Sequence, residues 1–162
     1  MLTSILIDTI SIQEYIFASN KLKENIGASY LIKKVYDDVL KEALEKAFNI
    51  QNVNLDKWNS PSGEVALDQQ QGSVKIEIGY IGGGNALILF KIKAITTENE
   101  KNIAEYISKK FIRNYTKILL ERTPGLRSAF SVVHDFDLVC FNKSIKNLHD
   151  SLKDNKNKYF PS

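Results

Sequence analysis

The chain has 162 residues, 43% of them hydrophobic and 25% charged, which indicates one globular domain with its own core. Its 22 basic and 19 acidic residues leave a formal net charge of +3, too small to indicate nucleic-acid binding by itself. No apolar run approaches the roughly 20 residues that a membrane span requires. The single cysteine, Cys140, cannot form an internal disulfide and favours a reducing, cytoplasmic location.

The first part of the chain predicts a strand followed by a long helix. Residues 4–10 form an apolar run that contains one acidic residue, Asp8, near its end, which is typical of a buried strand. Ser11 and Glu14 have the spacing of a capping box and predict the start of a helix. Gly27 either interrupts this helix or allows another backbone or a ligand to come close. Further on, two apolar stripes recur at helical spacing: Leu31, Val35 and Val39, and beside them Leu40, Leu44 and Phe48.

The middle of the chain predicts a long loop and then a hairpin. Residues 49–73 are polar and contain prolines and glycines, so we expect a long loop there. In the next segment Val74, Ile76, Ile78 and Tyr80 alternate with less apolar residues, as in a half-buried strand. The run Gly82-Gly83-Gly84-Asn85 then separates this strand from the apolar residues 86–92. A glycine-rich turn between two such runs is a hairpin signal, because the turn requires positive φ angles.

The last part of the chain predicts a second long helix, a strand and a short helix. Thr97 and Glu100 form another possible capping box. The apolar face that follows consists of Ile103, Ile107, Phe111 and Ile118. Ala129 to His134 predict the fourth strand. Ile145, Leu148 and Leu152 predict a short C-terminal helix, followed by a polar, frayed tail over 153–162.

The order of elements is strand, helix, strand, strand, helix, strand, which predicts an α+β, ferredoxin-like (βαββαβ) domain over residues 1–140. Its four-stranded antiparallel sheet should carry two long helices on one face. Residues 141–162 add a C-terminal helix and a tail, which we expect to lead into a further domain. This fold serves many functions, so the function has to be argued from a site.

Asp8 and the turn 82–85 should lie at the same edge of this sheet. The first and third strands are central neighbours in the ferredoxin-like order, and Asp8 ends the first while the turn precedes the third. In nucleotide-polymerising palm domains, carboxylates at this place bind Mg²⁺, which bridges triphosphate oxygens. The sequence therefore makes this edge the candidate site.

Three separated motifs carry a resemblance to a known family. They are the segment Asp8-Thr9-Ile10-Ser11-Ile12-Gln13-Glu14-Tyr15-Ile16-Phe17, the element Gly27-Ala28-Ser29-Tyr30-Leu31, and the turn Gly82-Gly83-Gly84-Asn85-Ala86-Leu87. Together they resemble the palm domains of the large polymerase/cyclase-type subunit of type III CRISPR complexes, relatives of the GGDEF nucleotide cyclases. The match covers roughly residues 4–135. It implies a palm domain that binds ATP, with Mg²⁺ as the accompanying ion, in antiviral defence.

The turn departs from the active form of this family. Gly84 and Asn85 stand where active palms carry the acidic pair of G-G-D-D or G-G-D-E. Asp8 alone would be a poor two-metal site, so it is only a weak metal ligand and a weak catalytic candidate. The resemblance therefore implies a non-catalytic N-terminal palm that contributes half of a nucleotide site across an interface with a second palm.

The resemblance also implies a set of nucleotide-binding residues, and several alternatives stay open beside it. The set is Asp8, Ser11, Gly27, Ala28, Ser29, Gly82, Gly83, Gly84 and Asn85. Asp8 could instead cap the first helix or pair with a lysine, and Asn85 could cap the turn rather than donate to a nucleotide. The small residues at 27–29 could serve tight helix packing.

Two other functions compete with the degenerate palm. One is an active nucleotide cyclase that works as a homodimer, which is weakened because both copies would lack the acidic turn. The other is an RRM-like module for RNA or protein, which would require exposed aromatic residues on the central strands. Tyr80 and Phe90 are the aromatic residues that the second and third strands offer.

Overall fold

The computed structural model describes residues 1–49 and 73–159, so the predicted loop 49–73 lies, apart from its two end residues, outside the described part. The elements are, in chain order, β1 (Leu2–Ile10), α1 (Ile12–Ile16), α2 (Leu22–Lys34), a π-helical turn (Val35–Val39), α3 (Leu40–Phe48), β2 (Val74–Gly82), β3 (Asn85–Ile92), α4 (Thr97–Arg122), β4 (Arg127–His134) and α5 (Phe141–Tyr159). None of the helices in these two ranges has the length and apolarity needed to cross a membrane.

The four strands form one antiparallel sheet in the order β2-β3-β1-β4. This is the ferredoxin-like order, so the predicted α+β fold is confirmed. The register of β1 against β3 runs from Leu2 opposite Lys91 to Asp8 opposite Asn85. The end of β1 and the β2–β3 turn therefore lie at the same edge of the sheet.

The sheet separates two apolar cores. The larger core lies between the sheet and the helices α3 and α4, and Ile5, Ile7, Ile88, Phe90, Leu44, Phe111 and Tyr115 are among its buried members. The smaller core lies on the opposite face and contains Leu2, Leu6, Leu87, Leu89, Ala129, Phe136, Leu148 and Leu152. Because side chains alternate along a strand, neighbours on β1 face different cores.

A β-bulge in β2 corrects the predicted alternation. The pairing of β2 with β3 shifts between Ile78 and Tyr80, which leaves Gly79 as an extra residue. Ile78 belongs to the larger core, whereas Tyr80 packs against the smaller one, so the four predicted residues do not share a face. A Cβ atom on Gly79 would lie 2.6 Å from Cδ2 of Leu87, which favours glycine at the bulge.

Neither predicted capping box forms. Ser11 adopts a left-handed conformation with φ 56° and its side chain caps nothing, so the Ser11–Glu14 prediction is wrong. Helix α4 is capped one residue earlier than predicted, by Thr96, whose hydroxyl accepts from the backbone N–H of Asn99 at 3.2 Å. Glu100 instead accepts from the N-terminal amino group at 3.2 Å.

The predicted first helix is broken after Ile16, because residues 17–21 are not helical, and it then continues from Leu22 to Phe48 through the π-helical turn. Gly27 lies inside α2 and does not interrupt it, and a Cβ there would meet nothing within 4 Å. The first predicted stripe is buried only from Val35 onward, because Leu31 is 36% exposed. Ile103 likewise lies outside the core, at 40% exposure.

Helix α5 is longer than predicted, and the prediction of a frayed tail from residue 153 is wrong for residues 153–159. It continues to Tyr159, through residues 153–159, which we expected to fray. Leu148 and Leu152 anchor it in the smaller core. One turn later Asn155 donates from Nδ2 to the carbonyl oxygen of Phe130 at 2.8 Å. This long-range bond to β4 holds the polar end of the helix on the sheet.

Candidate functional site

The site edge is built by the end of β1 and the β2–β3 turn. Asp8 lies opposite Asn85 in the ladder, and the backbone N–H of Thr9 donates to the carbonyl oxygen of Gly84 at 2.8 Å. The structure thus brings together the acidic residue and the glycine-rich turn, as the strand order predicted. Their neighbourhood is fixed by backbone pairing and does not depend on flexible side chains.

The turn requires glycine at two positions, for different reasons. Gly83 and Gly84 both have positive φ angles, 60° and 85°, which residues with a Cβ rarely adopt. The space around Gly83 is open, but a Cβ on Gly84 would collide with the δ-carbon of Ile12. Ile12 begins α1, so the first helix packs beside Gly84. A side chain at position 84 would have to adopt the unfavourable φ of 85° and displace the end of the Ile12 side chain.

Asn85 serves the turn itself. Its Nδ2 donates to the carbonyl oxygen of Gly83 at 3.4 Å, a long hydrogen bond within the turn. Of the two alternatives for Asn85, this contact corresponds to capping of the turn.

Asp8 faces the smaller core and pairs with a lysine. Lys156 of α5 forms a salt bridge with Oδ2 of Asp8. The Asp8 side chain is 14% exposed and that of Lys156 is 36% exposed, so the pair lies at the rim of the site. The lysine alternative for Asp8 is therefore confirmed. The spacing of the sequence did not reveal this partner, because nearly the whole chain separates the two residues.

Thr9, the next residue of β1, faces the larger core and carries a network that the sequence reasoning missed. Its hydroxyl forms a 2.6 Å hydrogen bond with the hydroxyl of Tyr36, which also donates to the carbonyl oxygen of Gly84. Burial raises the pKa of Tyr36 to about 12, so the phenol is neutral and can donate at physiological pH. One signal was available: a tyrosine within an apolar helical segment requires a partner for its hydroxyl.

The remaining predicted residues lie on open surface. Gly82 and Gly83 are exposed, and Ser11 is exposed at the junction of β1 and α1. Gly27 and Ser29 are exposed on α2 and Ala28 is half-buried there. The tight helix packing considered for these three residues is therefore not observed at Gly27, which has open space beside it.

The donors at this edge do not fit a two-metal site. The Asp8 carboxylate is paired with Lys156, and the Gly84 carbonyl already accepts from Thr9 and Tyr36. Asn85 contributes no charge. Across residues 1–49 and 73–159, no group of three or more His, Cys, Asp or Glu side chains is arranged to hold a metal ion. Divalent cations in triphosphate sites are held mainly by carboxylates, so this set is too weak.

Comparison with known proteins supports the fold. No family model matches the chain, and no curated protein matches it. Among solved structures, it is similar to a chain of the Csm1–Csm4 cassette in complex with pppApApA, with a TM-score of 0.58 and 17% identity over 98% of this chain. It is also similar to diguanylate cyclase SiaD in complex with its activator SiaC from Pseudomonas aeruginosa, with a TM-score of 0.51 and 10% identity over 98% of this chain.

The chain spans 19% of the first neighbour's chain and 47% of the second. At these low identities the likeness concerns the fold. The predicted palm architecture is confirmed in that sense: this chain shares its fold with a part of each neighbour.

Proposed function

We propose that this chain is a catalytically degenerate, nucleotide-binding palm that contributes half of an ATP site, the other half coming from a second palm. The setting would be a CRISPR-associated or related antiviral-defence protein of the polymerase/cyclase type. The observation that carries the proposal is the turn 82–85, which holds no carboxylate and has Gly84 at a positive φ of 85°. The Csm1–Csm4 neighbour was solved with pppApApA, which makes an adenine nucleotide the first ligand to test.

The same edge keeps features that suit a phosphate group. Gly82 and Gly83 are exposed, and a Cβ on either would meet nothing within 4 Å, so a ligand can approach the backbone of the turn closely. Successive N–H groups in a turn can form an anion-binding concavity. Ser11, the residue that follows β1, adds an exposed hydroxyl. Phosphate binding here would require neither of the acidic residues that active palms carry at the turn.

An apolar surface next to this edge fits a protein partner. Phe17, Leu22, Ile26 and Tyr30 are 67%, 72%, 60% and 58% exposed, and α2 buries none of its own residues. We call these four residues the α2 stripe; Phe17 precedes α2, in the connection from α1, and the other three lie on α2. It continues from α1, whose first residue, Ile12, packs on the turn, so a partner on the stripe would also border the nucleotide edge. Exposed apolar surface of this kind marks interaction sites, and we assign it to the second palm.

The two alternatives receive less support. In a homodimer both copies would carry the same turn without carboxylates, so an active cyclase would still lack its acids. An RRM-like module needs an open sheet face with exposed aromatics, but α5 covers the face opposite α3 and α4. Phe90 is fully buried in the larger core, and Tyr80 packs in the smaller one.

Calorimetry with ATP tests the nucleotide half of the proposal. We expect the chain alone to bind ATP weakly and to make no cyclic or linear oligoadenylate. Gly82→Glu adds a negative charge in open space at the turn and should weaken ATP binding about tenfold. Ile95→Glu adds the same charge at a side chain that is 98% exposed, beyond the opposite end of β3, and should leave the affinity unchanged.

Equal ATP affinity in wild type and Gly82→Glu would place the nucleotide elsewhere. Synthesis of oligoadenylate from ATP by the purified chain would contradict the degenerate assignment.

Co-purification with a palm that carries an intact G-G-D-D turn tests the partner half. The coding sequence directly downstream is the first place to look for such a palm. We expect Ile26→Asp to abolish co-elution, because it puts a charge into the α2 stripe. The matched control is Val139→Asp, at a side chain that is 95% exposed in the β4–α5 connection. If both variants co-elute like wild type, the stripe is not the interface.

A further inference from the structure

The salt bridge between Asp8 and Lys156 places a positive charge against the carboxylate that the sequence made a candidate metal ligand. We propose that the Lys156 ammonium group substitutes for the divalent cation beside Asp8, so that this palm binds a nucleoside triphosphate without a metal ion. This inference rests on the proposed function, since it concerns the same nucleotide edge.

Lys156 is held in place by the helix that carries it. Leu148, Leu152 and Lys156 follow one another at intervals of four residues and therefore share one side of α5. The two leucines are 0% and 4% exposed in the smaller core. Asn155, the neighbour of Lys156, donates to the carbonyl oxygen of Phe130 at 2.8 Å. The backbone at Lys156 is thus fixed against the sheet, unlike that of a surface lysine on a free helix.

The charges at this edge are consistent with the Lys156 ammonium group taking the place of a metal ion. Asp8 and Lys156 cancel, Asn85 is neutral, and Gly84 carries no second carboxylate. The edge therefore lacks the net negative charge that would hold a divalent cation. An ammonium group has three donors, and only one is needed for Asp8. With 36% of its side chain exposed, Lys156 keeps a side open toward solvent, where triphosphate oxygens could accept from it.

The test is ATP calorimetry in EDTA and in magnesium chloride, on the wild-type chain and on Lys156→Met. Methionine keeps much of the length and apolar stem of lysine while removing the charge. The matched control is Lys153→Met, an exposed lysine on the same helix. We expect wild type and Lys153→Met to bind ATP with affinities that differ less than about twofold between the two buffers. Lys156→Met should lose about tenfold in EDTA, because an unpaired Asp8 then repels the phosphates.

Each outcome separates this inference from the proposed function. ATP binding by wild type that disappears in EDTA would overturn the inference and leave the proposed function standing. Equal ATP affinities of Lys156→Met and Lys153→Met in EDTA would also overturn the inference and leave the proposed function standing. ATP binding by none of the proteins in either buffer would overturn the proposed function and, with it, the inference.

The ion pair can be measured without any nucleotide. The free energies of unfolding of Asp8→Asn, Lys156→Met and the double variant give the coupling between the two side chains. We expect a favourable coupling that becomes smaller in high salt, because the pair is partly exposed. A coupling of zero would mean that Lys156 does not neutralise Asp8 and would overturn the inference whatever the calorimetry gives.

Discussion

Asp8 and Thr9 are adjacent on β1, yet the two faces of the sheet hold them by different means. Thr9 faces the larger core, where neutral hydrogen bonds join it to Tyr36 and Gly84. Asp8 faces the smaller core, where a partly exposed ion pair joins it to Lys156. The buried side fixes the shape of the turn, whereas the exposed side sets its charge. The two properties of the site can therefore be changed separately.

The largest effect of a single substitution should come from Gly84→Asp, which restores an acid at the place where active palms carry one. It combines a strained φ of 85° with a collision against Ile12, so we expect the free energy of unfolding to fall by about 3 kcal/mol. Chemical denaturation measures the loss. Ile12→Ala in the same chain should recover only the steric part, since the backbone strain remains. A Gly84→Asp chain as stable as wild type would show that neither the positive φ nor the Ile12 side chain excludes aspartate from this position.

The second prediction concerns alkaline pH, which should lower the free energy of unfolding through the buried tyrosines of the larger core. Burial raises the pKa of Tyr36 to about 12 from 10.0, and burial also raises the pKa of Tyr115. Below pH 10 both phenols keep their protons in the folded and unfolded states, so their contribution is complete. As the pH rises from 10 towards 12, the unfolded chain loses these protons first, and each tyrosine costs about 1.4 kcal/mol of stability per pH unit.

Denaturation curves across this alkaline range check the slope. Tyr36→Phe should remove the contribution of Tyr36 to the pH dependence of the free energy of unfolding and leave the contribution of Tyr115. An unchanged slope in Tyr36→Phe would contradict the buried, protonated state of Tyr36.

The smallest effects are expected at neutral pH, where one substitution on each face of the sheet allows the two faces to be compared directly. Tyr36→Phe leaves the Thr9 hydroxyl without its partner, although Gly84 keeps the bond from the Thr9 backbone, so we expect a loss of about 1 kcal/mol. Asp8→Asn should cost less than that, because the ion pair is partly exposed. Denaturation at low and high salt distinguishes the two: only the effect of Asp8→Asn should shrink with salt. The reverse salt dependence would contradict the comparison.

The features that follow from local periodicity and from strand order could be predicted from the sequence. Alternating and helical patterns predicted the ferredoxin-like sheet, and the order of its strands placed Asp8 beside the turn. Contacts between distant segments were not predictable in this way. Nothing near Asp8 in the chain indicates Lys156, which reaches it only because α5 crosses the second face of the sheet. The bulge at Gly79 was also missed, since one extra residue changes the face of every later side chain in a strand.

The π-helical turn Val35–Val39 has a consequence for the surface of the molecule. Such a turn acts as a one-residue insertion in an α-helix, and each residue of an α-helix turns it by about 100°. Deleting one residue there would restore a regular helix and rotate α2 about its axis relative to α3. The α2 stripe would then face a different direction although none of its residues had changed. The π-helical turn thus determines which way the exposed α2 faces relative to the buried α3.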